Sequence, residues 1–211
     1  MKLNNPILIA ALAGGAATIA AFAFTAGAED KQPATVPTSM ETAIFAGGCF
    51  WCVESDFDKV PGVVETISGY SGGETTNPTY KTHTKDGHLE VVKVIYDPAK
   101  VQYGELVDYF MRHIDPTDAG GQFCDRGNSY TTAIFVEDAE EKAVVDAAFA
   151  EISASGELIA PIVTAVRPEV AFYTAEDYHQ NFYVKSAIRY NAYRRACGRD
   201  KRVKEVWSGA N

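Results

Sequence analysis

The chain has 211 residues, 46% apolar and 22% charged, which excludes a disordered polyelectrolyte and gives one domain enough core. A formal charge of −9 offers nothing to a polyanion and argues against nucleic-acid binding. Four cysteines in this length are too few for a disulfide scaffold, so their placement carries more information than their number.

Ile7 to Phe24 is almost wholly apolar, follows Lys2, and ends in Ala26-Gly27-Ala28 before Glu29 and Asp30. That pattern predicts a signal peptide over residues 1–28, secreted across the inner membrane to the periplasm. An uncleaved segment would instead anchor the protein by residues 6–28, the only membrane contact expected. Residues 29–41, with prolines and polar residues, read as a linker, leaving 42–211 as one catalytic domain.

Within that domain Thr42 to Phe45 reads as a strand that runs into Gly47-Gly48, followed by a helix from Cys49 to about Asp58. Val63 to Ser68 is a second strand. A Gly, Asn, Pro and Thr segment from Gly69 to Gly87 is longer than most loops, a length that favours function. His88 to Tyr96 is the clearest strand, Tyr103 to His113 a helix, and Asp115 to Ser129 a second long loop. Thr131 to Val136 reads as a strand, Ala139 to Ile152 as a helix, Ile162 to Val166 as a short strand, and Ala175 to Ala196 as largely helical. The alternation predicts a single α+β domain, a mixed sheet flanked by helices in two layers.

Gly47-Gly48-Cys49-Phe50-Trp51-Cys52 is the most informative run. The glycines permit a sharp turn, and a helix N-terminus favours thiolate over thiol, so Cys49 is expected to have a lowered pKa. Cys52 lies about one helical turn away, within reach of a disulfide after local adjustment. The same pattern leaves thioredoxin-like exchange and metal binding open. Zinc would need partner ligands, and His83, His88, His113 and His179 show no close pairing, so no metal is expected.

In His88 to Tyr96, Glu90 shares a face with Val92, Val94 and Tyr96. It is either a strand-end carboxylate in water or a buried acid held protonated near neutrality.

Together these pieces resemble the A-type peptide methionine sulfoxide reductases. The matches are Gly48-Cys49-Phe50-Trp51, Gly69-Tyr70-Ser71-Gly72-Gly73, Asn77-Pro78-Thr79-Tyr80, Gly87 to Val92, Asp115-Pro116, Asp125 to Tyr130, and Ala175 to Gln180, in the family's order. The resemblance implies an α+β fold with the nucleophile at a helix start. It makes Cys49 the nucleophile, Phe50 and Trp51 the walls around the substrate methyl, and Glu90 the acid. Tyr80 and Tyr130 become donors to the sulfoxide oxygen, and Asp125 positions substrate. It implies the S epimer as substrate, in proteins and as the free amino acid, a sulfenic acid on Cys49, and no cofactor. Electrons would come from a thioredoxin-like protein or a dithiol, to a monomeric enzyme.

Family members differ in the cysteine that resolves the sulfenic acid. Cys52 is first by proximity. Cys197, in the flexible-looking stretch Arg195 to Arg199, and Cys124, beside Asp125, are alternatives, or form a structural disulfide with each other. His179 is expected to be hydrogen-bonded and structural, and the tyrosines from Tyr178 to Tyr193 to be packing. A general thiol–disulfide oxidoreductase, which would not need Glu90, and a non-catalytic reader of oxidised methionine are the competing functions.

Overall fold

The computed structural model describes residues 39–209. The expected signal segment and all but the end of the expected linker lie outside them. Glu41 already belongs to the first strand, β1 (Glu41–Gly47). After β1 come α1 (Phe50–Phe57), β2 (Val63–Ser71), β3 (Leu89–Tyr96) and α2 (Tyr103–Met111). A two-residue ladder of β4 (Gly121–Gln122) and β5 (Asp125–Arg126) leads through a 3₁₀ turn, Asn128–Tyr130, to β6 (Thr132–Val136). The rest is α3 (Ala139–Ser155), β7 (Ala165–Pro168), β8 (Tyr173–Thr174), α4 (Phe182–Lys185), α5 (Ala187–Ala196) and α6 (Arg199–Val206).

Six strands form one mixed sheet in the order β7-β6-β1-β3-β2-β8, parallel only between β6 and β7. The period-2 pattern of β3 sorts its side chains as expected. Val92, Val94 and Tyr96 join the main core, whereas Leu89 and Val91 join a smaller cluster with Ile44, Ala46, Ala133 and Phe135. The main core packs Phe50, Val53 and Phe57 of α1, and Leu106, Val107 and Phe110 of α2, against the sheet. Phe45 stacks on Phe57 at 4.8 Å and meets Phe110 at 4.9 Å, so β1, α1 and α2 share one aromatic knot. Helix α3 has strong ends, with Asp138 accepting from the N–H groups of Glu140 and Glu141 and Gly156 left-handed at its close.

Two expectations are corrected, and a third is refined. The strand near residue 164 starts at Ala165, where it pairs with β6. The segment from Ala175 to Ala196 is largely helical, as expected, in two pieces. Gln180 spends its side chain on the backbone of Ser68 and Ala175, and Asn181 turns left-handed (φ 53°), so helix begins only at Phe182. The stretch Arg195 to Arg199 is not a loose tail. Cys197 ends α5, Gly198 (φ 67°) turns the chain, and Arg199 opens α6 with its guanidinium donating to the carbonyls of Gly47 and His113. Among the described residues no helix is long and apolar enough to cross a membrane.

Candidate active site

The site is built where β1 bends into α1. Gly48 has φ +80°, and a Cβ there would lie 2.5 Å from Cβ of Gln122, so only glycine lets the chain turn this tightly. Gln122 is held in turn by Asp115, whose N–H donates to Oε1 at 2.9 Å while Nε2 donates to its carbonyl at 2.8 Å.

Cys49 occupies the N-cap of α1 but supplies no side-chain cap. The cap is borrowed from another strand: the Phe50 N–H donates to Glu90 Oε2 at 3.0 Å. One orphan donor of the helix is thereby satisfied, and a carboxyl group is fixed beside the cysteine. Glu90 is 2% exposed, which removes the strand-end reading. Burial pushes its pKa up to about 8, against the Phe50 N–H, which favours the charged form, and with the charge of Asp125 adding to the rise. Near neutrality Glu90 is therefore mainly protonated.

The expected lowering of the Cys49 pKa is overturned. Cys49 is 7% exposed, and burial raises its thiol well above the ordinary range, helped by the Cys52 side chain and the charge of Glu90. Desolvation works against the thiolate that a helix N-terminus favours. Cys52, 2% exposed, shifts the other way, because its contact with Cys49 and the nearby Arg199 and Arg194 favour its thiolate over the cost of burial. Both cysteines are reduced and adjacent.

Phe50 is buried. Trp51 stacks on Phe182 at 3.8 Å and donates its indole N–H to His179 Nδ1 at 3.0 Å. His179 is thus the hydrogen-bonded residue expected, and the motif around it acts as a bracket. Glu176 accepts from the Tyr70 hydroxyl at 2.9 Å and from the Tyr80 N–H at 3.0 Å. Burial first, and then the charge of Glu90 and, less, that of Cys49, raise the pKa values of Tyr80, 40% exposed, and Tyr130. Two open hollows, about 650 Å³ beside α3 and about 790 Å³ near the starts of α2 and α3, are lined by none of these residues.

Asp125 is half-buried and accepts a hydrogen bond from Tyr193, whose hydroxyl favours the Cys49 thiolate. Tyr193 was expected only to pack, and no local pattern marks it, since 68 residues separate it from Asp125. His83, another residue without a local signal, is buried with Nε2 3.9 Å from Glu90 Oε1, and burial lowers its pKa. Cys124 and Cys197 form a disulfide, with Cα atoms 4.9 Å apart. They crowd Asp125 into a group of metal-type ligands, but the disulfide consumes both sulfurs.

A mixed sheet that presents a thiol pair and a neutral carboxyl at one helix start defines a cysteine-based reductase. Residues 41–211 match the profile described as peptide methionine sulfoxide reductase. The chain is 56% identical over 165 residues to peptide methionine sulfoxide reductase MsrA 2 of Rhizobium meliloti, covering 78% of this chain and 82% of that one. Methionine sulfoxide reductase A of Corynebacterium diphtheriae superposes with a TM-score of 0.62 at 33% identity, over 74% of this chain and 77% of that one. Mxr1 of Saccharomyces cerevisiae in its reduced form gives 0.65 at 29% identity, over 72% and 88%. The chain belongs to the A-type peptide methionine sulfoxide reductase family, and its activity is the thiol-dependent reduction of methionine sulfoxide.

Proposed function

We propose that the enzyme reduces the S epimer of methionine sulfoxide, free or in proteins, with Cys49 as nucleophile, Glu90 as acid and Cys52 as resolving thiol. One observation carries the reading: a buried, mainly protonated carboxyl caps the helix whose N-cap is the cysteine. A sulfoxide has an electrophilic sulfur and a strongly accepting oxygen. Attack by the Cys49 sulfur puts charge on that oxygen, and Glu90 supplies the proton that neutralises it. The hydroxyls of Tyr80 and Tyr130 share the oxygen, each worth about 3 kcal/mol by analogy with oxyanion-hole donors. Phe50 and Trp51 receive the methyl group, and Asp125 orients the substrate.

Methionine leaves, and Cys49 carries a sulfenic acid. Cys52 then attacks it, expelling water and closing a Cys49–Cys52 disulfide. The lowering of the Cys52 pKa, first by its contact with Cys49 and then by Arg199 and Arg194, suits this step, since the thiolate is the attacking form. Cys124 and Cys197 are already paired with each other, which favours Cys52 over either as resolver. A thioredoxin-like dithiol returns the pair to its reduced form; Mxr1, of the same fold, is known in complex with Trx2. With the apolar leader expected from Ile7 to Phe24, we place the enzyme outside the cytoplasm, repairing envelope or secreted proteins.

The test gives purified protein a methionine sulfoxide peptide and dithiothreitol. Cys49→Ser abolishes methionine formation; turnover by that variant at the wild-type rate sinks the mechanism.

A further inference from the structure

A wall that fits a methyl group needs its indole fixed in place. Phe182 lies against the Trp51 ring at 3.8 Å with 12° between the planes, which sets the tilt of the ring. The indole N–H donates to His179 Nδ1 at 3.0 Å, which sets its rotation within that plane. The His179 ring is also 4.9 Å from that of Phe50, so it meets both proposed walls. The shape of the pocket therefore depends on where the segment from His179 to Phe182 sits against α1.

That segment needs outside support. Asn181 is left-handed (φ 53°), a conformation that a residue with a side chain adopts at a cost. The helix it opens, α4, is only four residues long and has no side-chain cap. Glu54 provides the hold. It lies one turn along α1 from Trp51, and its Oε1 accepts the Asn181 N–H at 2.9 Å. A turn further on, Asp58 accepts the Tyr183 hydroxyl at 2.7 Å, but that bond is exposed. Glu54 is 0% exposed, and its Oε2 has no partner. Burying a carboxyl group with one oxygen unsatisfied is costly, and burial pushes its pKa up to about 7. An apolar side chain would pack there at less cost, were the bond to Asn181 not needed.

We propose that Glu54 is a positioning residue that sets substrate fit. By holding the Asn181 N–H it fixes Phe182 and His179, and through them the indole that receives the methyl group. The inference rests on Trp51 as a wall of the substrate pocket. Glu54 touches no reacting atom, so its effect falls on binding and on the size of alkyl group accepted, and the chemical step keeps its rate. A wall let loose holds a methyl group less closely and rejects a larger one less strictly.

The experiment compares kcat/KM for methionine sulfoxide and ethionine sulfoxide, which differ by one methylene on sulfur, with dithiothreitol as reductant. The wild type is expected to prefer the methyl compound by at least about 10-fold. In Glu54→Leu that preference falls to about twofold, KM for methionine sulfoxide rises about 10-fold, and the single-turnover rate at saturation stays within about threefold. Glu54→Gln keeps the acceptor oxygen and restores both the preference and KM. A purely structural role would lower the stability of Glu54→Leu and leave the preference alone. A preference unchanged in Glu54→Leu, or lost as far in Glu54→Gln, overturns the proposal. Trp51→Ala separates the two readings. If it keeps the preference, the wall fails and the inference with it; if it loses a preference that Glu54→Leu keeps, only the inference fails. Should Glu54→Leu not fold, Glu54→Asp decides by the same ratio. It keeps the charge but draws the oxygen back by one methylene, so its preference falls if Glu54 acts through Asn181 and holds at the wild-type value if it does not.

Discussion

The two cysteine pairs of this chain are opposites. Cys49 and Cys52 are three residues apart, buried and reduced, whereas Cys124 and Cys197 are 73 residues apart, nearer the surface and joined. Closeness in sequence gives the first pair its chemistry, because one helical turn carries both sulfurs into a single desolvated site. Closeness in space gives the second pair its mechanics, because the disulfide closes a long loop around half of the domain. A cysteine's surroundings, more than the existence of a partner, decide whether it reacts or braces.

The contrast breaks most sharply at Glu90, the proposed acid beside the buried pair. Glu90→Gln keeps an acceptor for the Phe50 N–H but has no proton to give, so the first reduction step slows by roughly 100- to 1,000-fold. The same change stabilises the fold. Glu90 ionises near 8 in the folded chain and near 4.5 unfolded, so between those values the unfolded chain holds more negative charge and fewer protons. Wild-type stability therefore falls as pH rises from about 4.5 to 8. Urea denaturation at pH 8 should find Glu90→Gln more stable by up to about 4 kcal/mol, a gain that vanishes below pH 4.5. A variant that is slow and no more stable at pH 8 than wild type would remove the buried neutral acid.

Next in size is Cys52→Ser. It completes one stoichiometric turnover and then stalls, read as product per enzyme with and without dithiol. Mass mapping of the wild type after that turnover should find a Cys49–Cys52 bond, and a bond from Cys49 to Cys124 or Cys197 would merge the two pairs into one system. The smallest effect on chemistry belongs to the bracing pair. Replacing Cys124 and Cys197 together by serine costs about 4 kcal/mol of stability, as expected for a loop of this length, and changes the first turnover less than any substitution above. A denaturation curve unchanged by that double replacement would show that the second disulfide braces nothing.

The thiol pair at a helix start was legible in the sequence and much of its setting was not. Gly-Gly before a cysteine and a helical pattern after it are local signals, and the matching motifs brought Glu90, Tyr80, Tyr130 and Asp125 into the same site. Residue parity placed Glu90 on the face of Val92 and Val94, but only burial distinguished an acid from a solvated carboxylate. The Cys49 pKa was read the wrong way because helix capping is local, whereas desolvation depends on everything packed around the sulfur. Tyr193, His83 and Glu176 carry no periodic mark. Their roles come from contacts across the chain, such as the 106 residues between Tyr70 and Glu176. The stretch Arg195 to Arg199 looks like a loose tail for the same reason: Arg199 spends its guanidinium on the distant backbone of Gly47 and His113, which makes that tail part of the wall.

That wall also sets an order of events during synthesis. Cys49 and Cys52 emerge from the ribosome long before Phe182 and Tyr190, the side chains that later pack around Cys52. Until the last fifth of the chain arrives, the reactive thiols have no lid, Trp51 lacks its stacking partner Phe182, and Cys124 has no Cys197 to join. A nascent chain of this enzyme is thus a set of open thiols, and a ribosome stalled near residue 180 would hold it in the state most easily captured by a wrong partner.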